Sequence, residues 1–259
     1  MARPIEVQSI DQTSGDPRNQ GLKTIPLLRG AIAGVETTYY RQEEGIRVSP
    51  ARDPNRGQVF LFHRGTGEAH SGGRTFKFSE IAALCVPGTT PISITATKAP
   101  VEYLEILIDL QAQEAALPRA QGPFFRLYSH CEAYAEAIKS PKTISRTIVP
   151  AKMLPRFCMG SVETFGPDTV GAHAHPMLEQ LFWGLSANAC VVTADGTEVA
   201  FGDGVLLHIP LGSWHGVRVE EGRRLHYVWM DFFGSEEDLT YIQEQHQPIK
   251  GSPSSGERS

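Results

Sequence analysis

Four of the nine histidines fall between positions 173 and 215. Within Gly171-Ala-His-Ala-His-Pro-Met-Leu-Glu179, His173 and His175 stand two apart. Residues i and i+2 of a strand share a face, so both imidazoles could reach one ion. Pro176 interrupts that strand, and Glu179 opens the next, with Leu181 and Trp183 on its own face. In Gly204-Val-Leu-Leu-His-Ile-Pro-Leu-Gly-Ser-Trp-His215, Pro210 and Gly212 make a tight turn and His215 begins the strand after it. Three imidazoles and a carboxylate brought together would make a site for one divalent transition metal.

The elements that position these groups must be short and turn-rich. The 259 residues include 25 glycines and 18 prolines, above the usual combined share of about 12%. No glycine period accompanies them, so the surplus predicts strands joined by tight turns. A hydrophobic share of 41% argues for a packed fold, and 24 basic against 29 acidic residues give no basic excess for nucleic acid. No apolar run approaches the ~20 residues a membrane span needs. The first residues lack an apolar signal core, and four scattered cysteines read as reduced thiols. The expectation is a cytoplasmic protein with neither nucleic-acid nor membrane partners.

Along the chain, residues 1–24 read as a polar arm or loosely attached strand, 25–110 as one strand-rich region and 145–234 as another. Residues 111–144 read as a helical linker, because Asp109–Ala120 and Tyr128–Lys139 carry apolar residues at helical spacing. A short helix capped by Ser235 is expected to begin the 235–250 segment, and 251–259 to be disordered. The two strand-rich regions look like copies. Residues 73–110 slide onto 196–233 without a gap, with Gly73 on Gly196, Phe78 on Phe201 and Pro87 on Pro210.

HxHxxxE followed by G-x5-P-x-G-x-x-H resembles the two-motif signature of the cupin superfamily. The resemblance implies an all-β fold of two tandem antiparallel jelly-roll barrels (a bicupin), and assigns the metal to His173, His175, Glu179 and His215. Fe, Mn, Ni, Co and Zn all suit three nitrogens and one oxygen with open positions. Gly166, Ser186 and Val219 depart from the family's turn residues without touching the ligands. In the first copy Pro50, Arg52, Arg56 and Ile92 fall where ligands would stand, so that barrel is expected to be metal-free.

Other residues carry weaker signals. Trp183 could line the pocket or be an ordinary core aromatic. His226 and Tyr227 are general acid/base candidates on the last strand, and alternation lets only one face the metal. His208 and Arg218 are further pocket candidates, Arg218 as a carboxylate binder. A metal in a barrel mouth suits a small oxygen-rich organic acid or sugar derivative. The chain is somewhat similar to 5-deoxy-glucuronate isomerases, in length, a metal-free first barrel and a Tyr-x-Trp strand, and shares the two-barrel layout of ureidoglycine aminohydrolases. Isomerisation through an enediolate ranks first. An Fe(II) dioxygenase or a metal-dependent hydrolase or lyase is the alternative, followed by a non-enzymatic binding or sensor barrel. A homodimer sharing an exposed strand is expected.

Overall fold

The computed structural model describes residues 4–12, 21–115 and 123–239. In chain order the strands are β1 (Glu6–Ser9), β2 (Leu22–Leu27), β3 (Val35–Gln42), β4 (Arg47–Val48), β5 (Arg56–Ser71), β6 (Arg74–Phe78), β7 (Ala82–Pro87) and β8 (Ile92–Asp109). After the one-turn helix α1 (Ala112–Ala115) come β9 (Phe124–Leu127), β10 (Ala133–Tyr134), β11 (Ile144–Leu154), β12 (Phe157–Phe165), β13 (Asp168–His173) and β14 (Leu178–Gly184). The chain continues with β15 (Ala189–Ala194), β16 (Thr197–Gly202), β17 (Val205–Ile209), β18 (His215–Val219) and β19 (Arg224–Phe233). The fold is all-β, and the ladders described between these strands are antiparallel.

The chain divides into two units. One comprises the residues up to Ser9, Cys131–Ala151 and those from Arg156; the other comprises Ile10–His130 and Lys152–Pro155. The first unit holds a sheet in the order β1-β17-β14-β19-β12-β11-β10 and a second in the order β13-β18-β15-β16. Their inner faces share one core, in which Val162, Phe182, Leu207 and Tyr227 of the larger sheet meet Val192, Phe201 and Val217 of the smaller. Alternate residues turn inward, as a two-sheet sandwich requires. The second unit has the order β2-β3-β8-β5-β7-β9, with β4 on β8 and β6 on β5. None of these sheets closes on itself.

The two units repeat one pairing scheme 123 residues apart. Tyr39 faces Leu104 as Val162 faces Tyr227; Val59 faces Ile106 as Phe182 faces Trp229; Ser71 faces Ile92 as Ala194 faces His215. The long strands β5 and β8, which run unbroken through register shifts, correspond to β14 with β15 and to β18 with β19.

The expected helical linker is different in kind. Apart from α1, the described residues of 111–144 form β9, a single 3-10 turn at Tyr128–His130 and β10. Residues 116–122, the segment from 240 and the tail at 251–259 lie outside the described residues. Where Ser235 was expected to cap a helix, its Oγ accepts the Asp238 amide at 3.2 Å.

Candidate metal centre and its cavity

His173 and His215 face each other across the β13–β18 ladder, just past a bulge between Val170 and His173 that re-aims the strand end. His175 follows on the loop, where its carbonyl accepts the Gly212 amide at 3.0 Å. Gly212 has φ +72°, the left-handed conformation a glycine adopts without strain. The turn bearing Pro210 and Gly212 is thus tied to the segment bearing the first two histidines. Asp195 fastens the other side of that turn by accepting Ser213 Oγ at 2.6 Å and the Trp214 amide at 2.9 Å. The donor atoms of His173, His175 and His215 lie within 4.8 Å of one another.

The rings are prepared to bind. His173 Nδ1 donates to the Gly171 carbonyl at 2.8 Å and His215 Nδ1 to the Ser213 carbonyl at 3.0 Å. That tautomer leaves each Nε2 unprotonated, the usual arrangement for a metal-binding imidazole. His215 Nε2 is buried without a hydrogen-bond partner. Burial and the neighbouring His173 push the His215 pKa down to about 4, outweighing the opposing pull of the Ser213 carbonyl, so the ring is neutral at physiological pH. These groups fit a divalent ion.

Glu179 does not join them. Its Oε2 accepts His208 Nε2 at 2.7 Å, on the face of β14 opposite the histidines. The next residue, Gln180, lines the cavity with Phe182. Gln180 Nε2 donates to Asp231 Oδ1 at 2.8 Å, while its buried Oε1 has no hydrogen-bond partner.

The histidines border a cavity of about 300 Å³. Apolar walls come from Val162, Phe182, Val217 and Trp229. The polar wall is built by the segment read from sequence as helix: Tyr134, Glu136 and Lys139 all line it. Lys139 Nζ donates to Glu136 Oε2 and to Ser145 Oγ, each at 2.8 Å. Burial lowers the Lys139 pKa against the pull of Glu136, and burial with the Glu136 charge raises that of Tyr134. Asp231 completes this wall; burial, countered by the Gln180 hydrogen bond, raises its pKa to about 7. No arginine lines the cavity among the described residues.

Of the weaker sequence candidates, Tyr227 reaches the cavity and His226 does not. The His226 ring lies toward Glu163, 4.0 Å from its Oε2. Trp183 and His208 are fully buried away from the cavity. Arg218 is on the surface, paired with Glu198 at 3.2 and 3.3 Å. Sequence reasoning missed Gln180, Asp231, Glu136 and Lys139; adjacency to the HxH motif was the one signal for Gln180.

No family model matches the sequence, nor does any curated protein. Solved structures do match, and they are cupin-type. Protein Ylba from E. coli, of DUF861, superposes with TM-score 0.69 at 13% identity over 88% of this chain and 90% of its own. A cupin 2 conserved barrel domain protein from Leptotrichia buccalis gives 0.58 at 15% identity, covering 88% and 96%. Oxalate decarboxylase from Lactobacillus farciminis, in a formate complex, gives 0.68 at 11% identity, covering 88% and 86%. Likeness at these identities establishes the cupin-type fold. No helix among the described residues is long and apolar enough to cross a membrane.

Proposed function

We propose that this chain is a divalent-metal enzyme acting on a small, oxygen-bearing organic acid or sugar derivative, with isomerase-type proton transfer next to a carbonyl as its first reading. The observation that carries the proposal is the convergence of three histidine donors at one cavity, with His215 Nε2 and Gln180 Oε1 both buried and unpartnered. His173, His175 and His215 would hold the ion, with Gln180 Oε1 in place of the Glu179 carboxylate as the fourth donor. Once bound, the ion supplies Lewis acidity that polarises a substrate oxygen.

The protein's own groups supply the rest. Asp231 is a positioning residue, since by accepting Gln180 Nε2 it leaves Oε1 free. Lys139 and Glu136 are held on the wall as a buried pair, where an ammonium and a carboxylate can give and take a substrate proton. Phe182, Val217 and Trp229 exclude water around a substrate's carbon skeleton.

Elemental analysis of purified protein, followed by turnover of hydroxy-acid and sugar-acid panels in D2O, tests this reading. Stoichiometric metal with deuterium entering at the carbon next to the carbonyl is the expected result. Dioxygen uptake by the Fe(II)-loaded protein would move the assignment to a dioxygenase. Metal binding with no turnover of either panel would favour a binding or sensor barrel, and absence of metal binding would overturn the proposal.

A further inference from the structure

The unit containing β2–β9 has no room for the same chemistry. At the place matching His215 stands Ile92, 4% exposed, in a core filled by Phe60, Phe62, Phe78 and Tyr103. The Phe62 and Phe78 rings stack at 4.0 Å between centroids. The corresponding rim of this unit instead carries an open cleft of about 680 Å³, whose walls include Arg47, Arg52, Arg74, His70, Ser71 and Ser93.

Register explains why these groups meet. Arg47 lies opposite Thr95, His70 opposite both Ser93 and Thr75, and Ser71 opposite Arg74, so the strand ends of β4, β8, β5 and β6 form one rim. Arg47 Nη2 donates to Ser93 Oγ at 2.7 Å, and the Arg74 guanidinium rests over the Phe76 ring at 4.9 Å. These contacts hold two guanidinium groups without neutralising either. None of the three arginines makes an ion pair among the described residues, and no carboxylate lines the cleft. Two acids stand behind the walls and pair with residues other than these arginines: Glu68 with the wall residue His70 at 3.0 Å, and Asp53 with Arg56 at 3.6 Å. Ser71, 3% exposed, has a buried Oγ with no hydrogen-bond partner.

We propose that this rim is a binding site for a small oxoanion, a phosphate or a polycarboxylate. Three unpaired guanidinium groups around one volume repel one another and are stabilised by a shared anion. Their forked donors match both carboxylate and phosphate oxygens. The site needs no metal and stands independently of the reading given for the histidine cavity.

Amide-resolved NMR titration with inorganic phosphate and, separately, citrate at constant ionic strength tests it. Saturable shifts at Arg47, Gly72, Gly73 and Ser93 are expected for at least one of them. Saturation by phosphate alone marks a phosphoryl ligand, and by citrate alone a polycarboxylate. The exposed-site double variant Arg52→Ala/Arg74→Ala should raise Kd at least tenfold while metal content and thermal midpoint stay unchanged. Arg52→Lys/Arg74→Lys should recover part of the affinity, since charge returns without the fork. Shifts that do not saturate, that chloride reproduces, or that survive unchanged in the double alanine variant would overturn the proposal.

Discussion

Glu179 and Gln180 are sequence neighbours on opposite faces of β14, and of the two only Gln180 lines the cavity that the histidines border. Replacing Gln180 by Ala should weaken metal binding by at least the 10–100-fold that changes around a metal site usually cost. Glu179→Ala should change it far less and instead lower stability by about 1–3 kcal/mol, because His208 Nε2 would be left buried without its acceptor. Isothermal titration with Zn(II) and chemical denaturation of the two variants check both halves; equal metal affinity would remove Gln180 from the ligand set. His226 provides a second residue-level outcome. Burial, with Arg224 and Arg146 nearby and Glu163 opposing them, lowers its pKa from the usual 6.5 to about 4. In the unfolded chain this ring takes up a proton as pH falls through 6.5, whereas in the fold it remains neutral. Stability is therefore complete above 6.5 and declines as pH falls toward 4, by at most about 3 kcal/mol from this group. An NMR titration should show the His226 ring proton unmoved at pH 5.5, and titration at the usual pKa would refute the assignment.

At the scale of elements, the HxH strand and the Pro210–Gly212 turn were legible in sequence because fixed short spacings impose them. The inward face of β14 was not legible. Residues Gln180–Gly184 are all buried, since this central strand is covered on both faces, and alternation of polar and apolar residues is therefore lost. Parity had to be set by the ladders to β17 and β19. The Tyr128–Lys139 segment failed for a different reason. Its apolar spacing suits a helix, but Gly171 donates its amide to the Ile138 carbonyl and Lys139 bridges Val170, so docking onto β13 overrides local propensity. Close backbone packing gives an element-level test at the end of β14. A Cβ on Gly184 would lie 1.8 Å from the Gly202 carbonyl oxygen. Neither backbone can yield cheaply, so Gly184→Ala should destabilise by about 1–3 kcal/mol, with urea unfolding as the measurement. An unchanged midpoint would mean that the two strands can separate there.

Across the whole molecule, the two units share a pairing scheme but differ in what fills it. Phe62, Phe78 and Tyr103 pack the interior of one, while the other leaves space beside three histidines. Sequence reading found the repeat over 73–110 because the turn residues there align. The pairing carries it through nearly the full length of both units, where side chains have diverged and only register survives. The chain also interleaves the units, for β1 precedes the whole β2–β9 unit yet pairs with β17, placing Glu6 opposite His208 and Ser9 opposite Val205. Without β1, β17 would become a sheet edge with unpaired backbone groups. Deleting residues 1–9 from the full chain should therefore cost the histidine-bearing unit about 4 kcal/mol, at roughly 1 kcal/mol net of solvation for each residue paired on this ladder. Hydrogen exchange resolves where the loss falls. Amides of β17 and β14 should exchange faster by an order of magnitude or more, while those of β3, β5 and β8 keep their wild-type rates. Uniform acceleration in both units would show that they unfold as one cooperative body, and no acceleration at all would show that β1 adds nothing to the stability of β17.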